Sequence, residues 1–150
     1  LFKTEIEKLV HGSSLEISFL GPPEKLPFSD AVRKARNYAD SILHSATEDL
    51  RRKDTFIFCA NDNMAIGARM AVSNISPDAL RSFKPIRIIC FDASTFVKMH
   101  INQGDCFFWC AIDQRYTEIV RQAIESAEIL FKGQTLTKEP IRLKPIVHRH

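Results

Sequence analysis

Phe56-Ile57-Phe58-Cys59-Ala60-Asn61-Asp62-Asn63-Met64-Ala65-Ile66-Gly67-Ala68 decides how the rest of the chain is read. An unbroken apolar run passes through an amide and a carboxylate into small and apolar residues. The first part reads as a buried strand, the last as the start of a helix. A strand leading directly into a helix leaves the polar side chains between them at the strand's carboxyl end. In an open α/β sheet that edge is where ligands bind.

Working outward, the same alternation repeats. Phe2 to His11 reads as an amphipathic helix stopped by Gly12, Leu15 to Leu20 as a strand, and Gly21 to Pro27 as a proline-rich loop. Ser29 or Asp30 then caps a helix running to about Leu50, with Ala31, Val32, Ala35, Tyr38, Ala39, Ile42, Leu43 and Ala46 at helical spacing. The strand from Thr55 to Ala60 and the helix from Asn63 to about Val72 follow. Ile86 to Phe91 is a buried strand, Thr95 to Ile101 a helix, and Asn102 to Asp105 a turn. Cys106 to Ile112 is the most apolar strand. Thr117 to Phe131 is the most regular helix, with Ile119, Val120, Ala123, Ile124, Ala127, Leu130 and Phe131 in one stripe and Gly133 as its left-handed stop. Ile141 to Val147 alternates apolar and polar residues. This order predicts an α/β fold, an open parallel sheet with helices on both faces. Right-handed crossovers then gather all strand carboxyl ends on one edge.

Composition excludes several functions. The chain has 150 residues, 45% of them hydrophobic and 26% charged, ordinary values for a globular domain. No apolar run approaches the roughly 18 residues of a membrane span. Leu1 to Glu5 alternates charged and apolar residues, unlike a secretory leader. The net charge of +3 is dispersed except at Arg51-Arg52-Lys53, read as a helix C-terminal cap, and at His148-Arg149-His150. No basic stripe or reading helix points to direct DNA contact. The histidines His11, His44, His100, His148 and His150 are scattered, and no Ser-His-Asp order, phosphate loop or paired-carboxylate motif stands out. The expectation is a protein that is not an enzyme and holds no metal or cofactor.

Four cysteines, Cys59, Cys90, Cys106 and Cys110, sit in apolar strand-like runs. On a strand Cys106 and Cys110 would face one way about 13 Å apart, too far for a disulfide. No zinc-ligand spacing appears. Buried reduced thiols favour a cytoplasmic location.

The run Asn61-Asp62-x-Met64-Ala65-Ile66-Gly67-Ala68 resembles the signature of the lac repressor and type I periplasmic sugar-binding superfamily. Ile88-Ile89-Cys90-Phe91-Asp92, Ile101-Asn102-Gln103-Gly104, Ile112-Asp113-Gln114 and Leu130-Phe131-Lys132-Gly133 resemble further family segments in the family's order. Cys90, Ala93-Ser94 and Arg115-Tyr116 depart from the residues usual there. The resemblance implies a Rossmann-like, periplasmic-binding-protein-like fold and the second, C-terminal lobe of a two-lobed effector domain. By that likeness residues 1–105 and 140–150 belong to the second lobe, and 106–133 normally pack in the first. The first lobe and any DNA-binding headpiece would lie outside these residues. Without them the Cys106 to Ile112 strand and the Ile119 to Phe131 face would be exposed, so the expectation is a truncated piece of a larger domain, self-association as a homodimer, or a repacking onto the remaining sheet.

Candidate ligand-binding residues follow. Asn61 offers a donor and an acceptor to a hydroxyl-rich ligand, or caps the Met64 helix; for Asp62 the cap is the better reading. Asp92 ends the next strand, either as a carboxylate for sugar hydroxyls or as another cap. Gln114 matches a family hinge-region ligand, or is a solvated loop residue. Tyr116 adds an aromatic wall, or only packs. Phe28 matches an aromatic that in the family stacks on the sugar, or is a hydrophobic staple. The expected function is a sugar-binding effector core of a lac-repressor-like transcriptional regulator, touching DNA only through a headpiece outside the chain and inserting into no membrane. The alternatives are the sugar-binding component of an ABC transporter and the sensor domain of a signalling kinase.

Overall fold

A computed structural model describes residues 30–136 and 143–149. In chain order the elements are α1 (Ala31–Ser45), α2 (Glu48–Arg51), β1 (Thr55–Cys59), α3 (Asp62–Asn74), α4 (Pro77–Leu80), β2 (Ile86–Phe91), α5 (Thr95–Asn102), β3 (Phe108–Asp113), α6 (Tyr116–Phe131) and β4 (Ile146–Arg149). The sheet order is β1-β2-β3-β4, with β1, β2 and β3 parallel and β4 antiparallel to β3. It is an α/β fold, an open mixed sheet flanked by helices.

Three sequence expectations need adjusting. The sheet is not wholly parallel. Ile146 pairs with Asp113, so the chain re-enters the sheet beside the edge that β3 leaves and must run the opposite way. This strand begins after Pro145, which lacks a backbone donor; Ile141 lies outside the described residues, as do the expected elements at Phe2 to His11 and Leu15 to Leu20. The long helix to Leu50 is broken in two. Ala46 is extended (ψ 122°), and the Thr47 side chain starts α2 by accepting from Leu50 N at 3.3 Å.

One face of the sheet makes the core. Ile86, Ile88 and Cys90 alternate inward from β2 and meet Ala65, Ala68, Ala71 and Val72 of α3, Val97 and Ile101 of α5, and Phe108 and Ala111 of β3. The alanines of α3 let it lie close to the sheet, and Gly67 lets α1 lie close to α3. A Cβ at Gly67 would stand 2.3 Å from Val32 O and 2.9 Å from Arg36 N. On the opposite face Phe56 meets Trp109 edge-to-face, Phe58 meets Phe91 in the same way, and the Arg87 guanidinium lies over Phe56. The Trp109 side enters at an irregularity, where Ile88 pairs with Phe108 and Ile89 with Cys110.

The expected exposure of both the third strand and the last helix is met only by the helix. Phe108, Cys110 and Ala111 are buried because β3 completes the sheet beside β2. No residue of α6 is buried, and Phe131 is 92% exposed. Of the cysteines, all free, Cys59, Cys90 and Cys110 are buried, but Cys106 is exposed because β3 begins two residues after it.

Asp105 ties α3 to the α5–β3 turn. It accepts from Arg69 Nε at 2.5 Å and Phe107 N at 3.0 Å, and His100 Nδ1 stands 3.1 Å away. Burial acts to raise this carboxyl, but the Arg69 hydrogen bond, the Phe107 amide and the nearby positive charge outweigh it and leave it below the usual range. A carboxyl that ionises more readily when folded contributes stability that is present above its unfolded pKa, about 3.9, and lost as pH falls through the folded value. Asp105→Asn is therefore expected to lower stability at pH 7 by about 1 to 2 kcal/mol, with a shallower acid decline than wild type. Urea unfolding at stepped pH measures this; parallel acid limbs would refute it.

Candidate functional site

The three parallel strands deliver their polar residues to one edge. Cys59 pairs with Cys90 and Phe91 with Ile112, so Asn61, Asp92 and Gln114 leave the sheet side by side at its carboxyl end. Each then meets a different local fate.

Asn61 is the N-cap of α3. Its extended backbone (φ −156°, ψ 170°) suits the position, and Oδ1 accepts from Met64 N at 3.0 Å. Its amide nitrogen donates no bond among the described residues and is left to meet a ligand. The cap expected of Asp62 is thus corrected, since Asn61 already fills it. Asp62 is the first helical residue, turns inward, and accepts from Ser94 N.

Asp92 is not a cap either; Ser94 caps α5, accepting from Val97 N. Asp92 (φ 93°) and Ala93 (φ 50°) both have left-handed backbones, a conformation L-residues hold only when neighbours impose it. The Asp92 Oδ1 accepts from Gln114 Nε2 at 2.9 Å and from Tyr116 OH at 3.0 Å. Among the described residues nothing bonds its Oδ2. Gln114 comes from the turn after β3 and Tyr116 from the first position of α6, so Asp92, Gln114 and Tyr116 form one polar group. The bond to the Asp92 carboxylate holds the Tyr116 phenol above its ordinary pKa, because a phenolate beside that charge is disfavoured.

The turn carrying Gln114 is fixed by Asp113. Its Oδ1 accepts from Arg115 N at 2.7 Å, an Asx-type turn that supports the left-handed Arg115 (φ 59°). Its Oδ2 accepts from Lys98 Nζ at 2.6 Å. The Lys98 bond, followed by the Arg115 amide, keeps this carboxyl well ionised, below the usual carboxylate range. His148 Nε2 lies 3.4 Å from the same oxygen without hydrogen-bond geometry.

An open cleft of about 380 Å³ runs past Asp92, Ser94, Thr95, Lys98, Arg115 and Tyr116. A larger groove of about 570 Å³, lined by Phe91, Ile112, Gln114, Ile119, Ala123 and Pro145, separates the sheet from α6 and is mostly apolar. Asp92 and Tyr116 line the smaller one, and Gln114 lines the larger. Asn61 lines neither, and Phe28 lies outside the described residues. Sequence reading did not single out Asp62, Asp113 or Lys98 as site supports. The two-residue spacing from Asp113 to Arg115 is the one local signal that an Asx turn leaves.

The buried thiols are chemically quiet. Burial, and then the Asp62 charge, pushes Cys59 up to about 12 and Cys90 higher still. Burial thus holds both thiols in the protonated form. Among the described residues no cluster of three or more His, Cys, Asp and Glu side chains is placed to hold a metal ion, and no helix is long and apolar enough to cross a membrane.

The open mixed sheet flanked by helices matches periplasmic-binding-protein-like folds. Solved structures agree. An ABC transporter periplasmic solute-binding protein from Actinobacillus succinogenes, with bound D-allose, is similar at TM-score 0.63 and 27% identity over 79% of this chain. One from Agrobacterium vitis with bound allitol gives 0.67 at 19% identity over 97%. The Caulobacter myo-inositol binding protein gives 0.57 at 23% over 81%. The chain spans only 37%, 46% and 36% of those proteins' lengths. No family model matches it, and no curated protein matches it in sequence.

Proposed function

We propose that this chain supplies one lobe of a two-lobed clamp for a sugar or polyol, and that it binds rather than transforms its ligand. The observation that carries this reading is the Asp92 carboxylate at the sheet's carboxyl edge, oriented through Oδ1 by Gln114 and Tyr116, with no bond to Oδ2 among the described residues. A carboxylate oxygen accepts two vicinal hydroxyls, and fixed neighbours set its direction before the ligand arrives. Asn61 adds its amide donor at the same edge. With none of its residues buried, α6 fits a segment that packs on the other lobe, and closure of two lobes about a hinge turns binding into a signal.

The neighbours that bind D-allose, allitol and myo-inositol support a transport-associated solute receptor as the first assignment. A lac-repressor-like regulator in a reducing compartment is the second, favoured by the buried free thiols Cys59, Cys90 and Cys110.

Calorimetric titration of the full-length natural chain with D-allose, allitol and myo-inositol tests the ligand class. Saturable binding to at least one is expected, with affinity falling about tenfold in Gln114→Ala. No binding to any, or full affinity in that variant, would overturn the reading.

A further inference from the structure

Asp62 takes no part in that clamp, yet among the described residues it is the charged side chain buried in the core, 6% exposed. Burying a carboxylate is unfavourable unless its partners compensate. Here Oδ2 accepts from one backbone amide, that of Ser94, and Oδ1 is buried with no hydrogen-bond partner. What this single bond holds is the loop that carries Asp92.

The loop is anchored at both ends. Asp92 N donates to Ile112 O at 3.0 Å, which fixes its start against β3. Ser94 N donates to Asp62, which fixes its end against α3. Between those anchors lie two consecutive non-glycine residues with positive φ, Asp92 at 93° and Ala93 at 50°. Such a pair persists only where its surroundings over-determine it. Ala93 is itself 2% exposed, so its walls help, but the Ser94 anchor is the polar constraint that spans from one strand end to the next.

We propose that Asp62 is a positioning residue. By holding the Ser94 amide it keeps Asp92 and Ala93 left-handed and so aims the Asp92 carboxylate at Gln114, Tyr116 and the ligand. The ligand part rests on the sugar-binding reading; the loop geometry does not. Asp62 touches no ligand, and its influence passes through the backbone of residues 92–94.

Three variants of the full-length chain test this, each followed by amide exchange at Ser94 and by titration with whichever of D-allose, allitol and myo-inositol wild type binds. Asp62→Ala removes the acceptor. Asp62→Leu removes it while keeping the buried volume filled, and covers the case in which the alanine variant does not fold. Asp62→Asn keeps an oxygen for Ser94 N. Alanine and leucine are expected to speed Ser94 exchange and weaken polyol affinity, each by about tenfold or more, while asparagine stays close to wild type in both. Adding Ala93→Gly to Asp62→Leu is expected to recover part of the affinity, because glycine adopts positive φ without the anchor. Unchanged Ser94 exchange in the leucine variant, or asparagine behaving like leucine, would overturn the proposal. Absence of polyol binding in wild type would overturn the sugar reading instead, and the exchange measurements would still decide the role of Asp62.

Discussion

Gly67→Ala is expected to destabilise the fold by about 2 to 3 kcal/mol, opposite in sign to what the helix alone would give. In an isolated helix interior the change would stabilise by about 1 kcal/mol. Here the added methyl would meet Val32 O at 2.3 Å, Arg36 N at 2.9 Å and the Ala35 side chain at 3.0 Å. Two of those three atoms belong to the backbone of α1, so no rotamer change relieves the overlap. The helix α1 must lift from α3, loosening the contacts of Ala39 and Leu43 with the core. Urea unfolding measures the change. An unchanged or higher midpoint would show that α1 does not pack so closely.

The second large effect is expected at Asp92. If its carboxylate accepts ligand hydroxyls, Asp92→Ala removes charge-assisted bonds and leaves Gln114 Nε2 and Tyr116 OH without their shared acceptor. Polyol affinity is expected to fall by about 3 kcal/mol, more than a hundredfold. Alanine is also poorly suited to the φ of 93°, so Asp92→Asn is the cleaner comparison. Asparagine tolerates left-handed backbone and removes only the charge. In that variant the Tyr116 phenol should titrate closer to its ordinary value, since the bond to Asp92 is the largest cause of its rise. Ultraviolet titration at alkaline pH detects this without any ligand. Affinity unchanged in Asp92→Ala would remove the residue from the clamp; an unmoved tyrosine titration would remove it from the network.

The fold was legible where local pattern and burial agree. Ile86 to Phe91 is apolar apart from Arg87, and the structure buries Ile86, Ile88 and Cys90 on the core side. Gly133 is left-handed (φ 70°) just after the last helix, where its lack of a side chain announces it. The break after Ser45 was harder to see, because the apolar spacing continues through Ala46 and masks the cap at Thr47. The reversed β4 was not visible at all, since alternation of side chains is the same in parallel and antiparallel pairing.

At the site, adjacency in sequence hid a division of labour. Asn61 and Asp62 are equally good caps by composition, and only the packing of α3 decides that one keeps the cap while the other reaches Ser94, 32 residues away. The residues alone determined that strands alternate with helices, the pattern of a parallel sheet, and parallel β1, β2 and β3 put Asn61, Asp92 and Gln114 on one edge. Tertiary structure alone decided which carboxylate faces the cleft and which is spent on the backbone. Hydrogen-bond partners distant in sequence, and left-handed residues that have no glycine to betray them, follow from how the helices settle on the sheet.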